Sequence, residues 1–133
     1  MSERYFTPAD VERLIPGLAR VMERVMGAHE EAASVRASLR EEQGRITMSG
    51  GGVLDQSVWR ERAERLARLT RIVEEGLGEI TAMGGVTKDL GLGLVDFPHL
   101  RDGRVVNLCW KFGEKDIRYW HGLDEGWGGR KPL

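Results

Sequence analysis

The apolar positions of this chain change their period once. Leu14, Leu18, Val21, Val25, Ala28, Ala32, Val35 and Leu39 follow Val11 at alternating steps of three and four, the seam of a helix packed lengthwise on another helix. Ile15, Met22 and Met26 widen that seam. Thr7 reads as the N-cap, Pro8 as the first helical residue and Asp10 as the carboxylate facing the helix dipole. A first helix is therefore expected over residues 7–41, kinked early by Pro16. Gly44 and the run Gly50, Gly51 and Gly52 break the pattern, so residues 42–54 read as a glycine-rich connection. No Gly-Lys-Ser/Thr follows these glycines and no strand leads into them, which argues against a phosphate loop. A second helix over residues 55–83 carries Trp59, Leu66, Leu69, Val73, Leu77, Ile80 and Met83 on one face and stops at Gly84 and Gly85.

After Gly85 the period falls to two. GLVDFPHL, RVVNLCWKF and DIRYWH read as three strands within residues 86–121, turned at Asp102-Gly103 and Gly113-Glu114. If both turns have two residues, the register follows. Phe97 then lies beside Leu108 and Tyr119, and Val95 beside Trp110 and Ile117, on the face toward the helices. Asp96, Cys109 and Arg118 form one row of the opposite face, and Pro98, Asn107 and Trp120 the next. Pro98 asks for an edge strand. The tail, residues 122–133, should cover Trp120, with Trp127 against it. The expected fold is α+β and a single domain: a long antiparallel two-helix hairpin, a small three-stranded antiparallel meander and an irregular C-terminal tail.

Helix length bears on assembly. At ~1.5 Å per residue the two helices reach about 50 and 42 Å, more than the remaining residues cover. The ridge of Ile15, Met22 and Met26 then needs a further surface, and a coiled-coil homodimer through the helices is expected. Folding of the helices back on the sheet within one chain is the alternative.

Composition removes several classes. Among 133 residues, 20 Lys and Arg face 21 Asp and Glu for a net charge of -1, so the basic field that draws nucleic acid is absent. No segment approaches the ~20 apolar residues of a membrane span. Cys109 is the sole cysteine, which rules out an internal disulfide and suits a reducing cytoplasm.

Candidate chemistry gathers on the sheet. In the expected register His99 and His121 share the helix-side face, flanking Val106, where two imidazoles could hold a transition metal such as zinc. Cys109 and Asp96 project from the other face, so that pair lacks a third ligand. Cys109 stands between Asp96 and Arg118, a setting that could favour a thiolate but offers no base in reach. Arg130, in GWGGRKP, suits a carboxylate or phosphate in a glycine-walled notch, or an internal pair with Asp96, Asp124 or Glu125. Lys88, Asp89 and Glu114 complete the candidate ligand-binding set.

The segments FTPADVERLIPGL, GGVTKDLGLGLVDFP, DGRVVNLCWKFGEKDIRYWH and GWGGRKPL, in that order, resemble a family of small bacterial proteins catalogued as domain of unknown function 2203. The resemblance implies a small cytoplasmic protein and carries over no catalytic residue. Its pattern picks out Lys88, Asp89, Asp96, Cys109, Trp110, Gly113, Glu114, Trp120, His121 and Arg130, while Thr87 departs from it where a more apolar residue is expected.

Two functional expectations result. One is a dimeric helical-hairpin module, interacting with or regulating a protein partner, without cofactor or assembled catalytic set. The other is a small anionic-ligand or metal-binding protein with its site at the sheet, hydrolytic chemistry being its extreme form.

Overall fold

A computed structural model describes residues 4–48 and 56–133. Helix α1 spans Pro8–Met48 and α2 spans Gln56–Met83. A five-stranded antiparallel sheet follows: β1 (Val86–Asp89), β2 (Leu94–Arg101), β3 (Arg104–Lys111), β4 (Tyr119–His121) and β5 (Lys131–Pro132), neighbouring one another in chain order. The architecture is α+β, as the change of period implies. Among the described residues no helix is long and apolar enough to cross a membrane.

The helix ends obey their local chemistry. Thr7 Oγ1 accepts from the Asp10 amide at 3.1 Å while Asp10 Oδ2 accepts from the Thr7 amide at 2.9 Å, a reciprocal cap that satisfies two otherwise orphan donors. At the far end of α2, Gly84 takes φ +100°. The Gly85 amide donates to Ile80 O and the Gly84 amide to Thr81 O, the double bond of a Schellman stop. Gly44 does not end α1, which runs on to Met48 and remains continuous through Pro16. One interior glycine costs only about 1 kcal/mol against alanine, and its neighbours Arg40, Glu41, Glu42, Gln43 and Arg45 are strong helix formers. The run Gly50 to Gly52 lies outside the described residues.

The main core sits where the first half of α1 and the second half of α2 meet the sheet. Phe6, Val11, Leu18, Met22, Val25, Ile80, Val95, Phe97, Leu108 and Trp110 are all buried there. Gly76 lets the helices close on each other, since a Cβ at that position would stand 2.1 Å from Val25 Cγ2. Farther from the sheet, Ala28, Ala32, Val35 and Leu69 form a second, smaller cluster between the helices. The ridge expected to seek a second copy is met within the chain. Ile15 and Met22 are buried in the main core and Met26 packs against it, with Gly93, just before β2, close beneath Met22 and Met26.

The first hairpin has the register read from its sequence: Val95 pairs with Trp110, Asp96 with Cys109, Phe97 with Leu108 and His99 with Val106. Asp102 and Gly103 both take positive φ, 51° and 78°, the signature of a two-residue type I′ turn. The second turn departs from expectation. Gly113 has the expected positive φ, 101°, but the connection runs from Phe112 to Arg118, and β4 pairs Leu108 with Trp120 and Asn107 with His121. That is a slip of one residue, which exchanges the faces of every β4 side chain. Several contacts hold the longer turn, the Glu114 amide donating to Lys111 O at 2.9 Å among them. The Trp110 indole donates to Glu114 O at 3.0 Å, the Lys111 amide to Glu114 Oε1 at 2.6 Å, and the Ile117 amide to Glu12 Oε1 on α1 at 3.2 Å.

Three expectations change accordingly. Trp120 faces the helices and packs on the main core, and from the tail it is the Lys131 ammonium, 4.6 Å from the ring centre, that lies over it. Trp127 lies against Arg130 and Lys111 and not against Trp120. Strands β1 and β5, absent from the expected meander, flank it on both sides, so β2 is no edge. Pro98 is tolerated because β1 pairing stops at Asp96, and the neighbouring carbonyl, Pro98 O, accepts from the Phe6 amide at 2.7 Å.

Candidate functional site

The slip in β4 builds a cluster that the expected register forbids. Asp96 on β2, Cys109 on β3 and His121 on β4 share the sheet face turned away from the helices, and their carboxylate, sulfur and imidazole atoms all lie within 4.8 Å of one another. The three residues are at most 3% exposed. Each position has its own cause: Asp96 and Cys109 are a direct cross-strand pair, and His121 sits opposite Asn107, two residues along the same face of β3.

The ring of His121 is held at both nitrogens. Nδ1 lies 2.9 Å from Gly122 O and Nε2 lies 3.0 Å from Asp96 Oδ1. A carbonyl only accepts, so Nδ1 carries the proton and the Nε2 lone pair is aimed at a carboxylate. Two acceptors facing each other need a positive centre between them, a proton or a metal ion. Cys109 has the opposite problem. Burial, then the charge of Asp96, pushes its thiol up to about 12, against the opposing pull of Arg130. At neutral pH only roughly one thiol in a hundred thousand would be ionised, so it is no nucleophile by itself.

This burial has a sign in stability. The ordinary thiol loses its proton near 9.0, while the folded one keeps it to about 12. The contribution is complete below the lower value and is lost as pH rises toward the higher one. In chelator-containing buffer the urea midpoint should therefore fall between about pH 9 and pH 12, and Cys109→Ser, which does not titrate there, should flatten that fall. An equal decline in both proteins would contradict the assignment.

Arg130 closes the site from behind. It donates from one terminal nitrogen to Glu114 Oε1 and Oε2 at 2.8 and 2.9 Å and to Cys109 O at 3.2 Å. Its guanidinium lies 4.2 Å from the Tyr119 ring centre and 4.1 Å from that of Trp127, stacked as arginine favours. The expected acidic partners Asp96, Asp124 and Glu125 are not those used: Asp96 is taken by His121 and Glu125 by Lys131. Glu114→Ala removes the counter-charge from a guanidinium only 12% exposed and should cost about 2–3 kcal/mol in chemical denaturation. Adding Arg130→Ala should cost less than that substitution does alone.

The other expected site residues divide. Lys88 lies on the cluster face and lines a pocket of about 130 Å³ together with Asp96, Cys109, His121, Asn107 and Glu125. Asp89 turns the chain instead, accepting from the Leu92 amide at 2.8 Å. Arg118 is not beside Cys109: it precedes β4 and pairs with Asp116 at 3.0 Å, largely exposed. His99 and His121 do not converge, because the slip sends them to opposite faces, and His99 Nδ1 engages Phe6 O at 2.6 Å. Asn107, Leu123, Glu125 and Trp127 line the pocket as well. Asn107 and a covering tail are both expected on the outer face, but no sequence signal marks Leu123, Glu125 and Trp127 as the tail residues that line the pocket.

A family described as uncharacterized conserved protein (DUF2203) has a sequence model that matches residues 4–133. No curated protein and no solved structure matches the chain.

Proposed function

The chain belongs to the DUF2203 family, and we propose that it is a metal-binding protein whose Asp96, Cys109 and His121 hold a single divalent transition ion, zinc being the best fit. The observation that carries this reading is one buried oxygen, one sulfur and one imidazole nitrogen gathered within 4.8 Å from three adjacent strands. The hydrogen bond from Nδ1 to Gly122 O is the outer-shell support by which a ligating histidine has its other nitrogen oriented. Charge agrees as well. A carboxylate and a thiolate neutralise a dication, so a loaded site buries no net charge, and the ion would supply what the thiolate lacks when the site is empty.

Three protein ligands leave one position of a tetrahedral ion free, and it would face the pocket. This is the composition of catalytic rather than structural zinc. Such an ion would lower the pKa of bound water or polarise a carbonyl, so hydrolysis is the chemistry the site is equipped for. The dimeric interaction module draws less support, because the apolar seam of α1 is largely buried within one chain: Val11, Leu18, Val25, Ala32 and Val35 are at most 7% exposed.

Protein purified without chelator should carry close to one equivalent of zinc per chain by elemental analysis. After stripping, it should take up cobalt(II) with the intense near-ultraviolet absorption of a sulfur-to-metal charge transfer. Protein free of metal that also fails to bind added zinc or cobalt at micromolar concentration would defeat the proposal.

A further inference from the structure

We infer, on the metal-centre reading above, that the ligand of the open position is a small organic carboxylate, received by the Lys88 ammonium and the Asn107 amide. The pocket bounds the size. At about 130 Å³ it is slightly smaller than the ~150 Å³ cavity that admits benzene, so the part of a ligand that enters it has about four to six heavy atoms.

The polar groups around the pocket bound the charge. The β1–β2 register shifts between Thr87 and Asp89, and Lys88, at that irregularity, stands at the pocket wall. Asn107 lies directly across from His121. Among the described residues, neither the Lys88 ammonium nor the Asn107 amide makes a hydrogen bond or ion pair. The nearby charges are otherwise engaged: Glu125 by Lys131 and the Gly122 amide, and Arg130 by Glu114. With a dication balanced by Asp96 and the Cys109 thiolate, Lys88 is, among the described residues that line the pocket, a cation without an ion pair. A monoanion neutralises it.

The walls decide between oxyanions. Leu94, Leu123 and Trp127 supply the apolar lining. Inorganic phosphate would turn some of its four oxygens toward those side chains without a donor, a desolvation cost that nothing repays. A short carboxylate points two oxygens at the ion, the lysine and the amide and lays its carbon body on the apolar wall.

The test uses cobalt-loaded full-length protein and sodium propionate as the probe, read by the visible absorption of the ion. Wild type should show a saturable spectral change with propionate and none with phosphate at equal ionic strength. Lys88→Met should bind cobalt as wild type does, yet bind propionate about tenfold or more weakly, as expected for loss of a charge-assisted hydrogen bond. Asn107→Ala should weaken propionate to a lesser degree. A cobalt spectrum indifferent to propionate, a response to phosphate in its place, or unaltered propionate affinity in Lys88→Met would each overturn the carboxylate assignment while leaving the metal centre standing. Protein that takes up no cobalt overturns both.

Discussion

Replacing His121 with alanine is expected to lower zinc or cobalt affinity by roughly a thousandfold, about 4 kcal/mol of a binding free energy that runs to 10–16 kcal/mol at well-formed zinc sites. The imidazole is one of the three donors proposed among the described residues, and Gly122 O orients its ring at a hydrogen-bond length of 2.9 Å. His99→Ala is the matched control. Its ring lies on the helix side of the sheet and is engaged by Phe6 O, so metal affinity should not change. Cys109→Ser should keep weak binding but lose the sulfur-to-cobalt absorption. If His121→Ala and wild type bind metal alike by competition with a chromophoric chelator, the donor set proposed here is wrong.

The largest loss of stability is expected from Trp110→Ala, about 3–5 kcal/mol by urea denaturation. Trp110 is fully buried and is the largest side chain so enclosed. It meets Phe112 edge-on with ring centres 6.3 Å apart, and its indole N–H is bonded to Glu114 O. The substitution therefore leaves a cavity in the main core and also releases the turn that sets β4. Trp110→Phe should recover much of the packing but not the bond, and should fall between. A loss below about 1 kcal/mol for Trp110→Ala would mean that the core collapses around the gap or that this turn is held by other contacts.

The turn after β3 is also where the sequence stops being readable. The cap at Thr7, the Schellman stop at Gly84 and the type I′ turn at Asp102-Gly103 depend on residues within a few positions of one another, and each stands where its local pattern put it. The β2–β3 register follows from that turn and gives the Asp96–Cys109 pair correctly. The position of β4 depends instead on Glu12, which bonds the Ile117 amide from 105 residues away, and on an indole that reaches past its own turn. No periodicity encodes either contact. One residue of parity therefore put His121 on the wrong face and separated it from the cysteine and the aspartate. Strands β1 and β5 were missed for a plainer reason. Four residues with two charges, and two residues ending in proline, carry no alternation to detect.

All three proposed donors come from neighbouring strands and none from a helix. An ion there would act as a rivet through the centre of the sheet, adding RT ln(1 + [L]/Kd) to whatever unfolds together with it. The outer half of the helical pair is joined by its own seam of Ala28, Ala32, Val35 and Leu69 and by the Arg65–Glu31 ion pair, and gains little from that rivet. On heating, loaded protein should fray from that outer end while the sheet stays closed, and amide exchange would reveal a gradient of protection along α1 that deepens with metal and disappears with chelator.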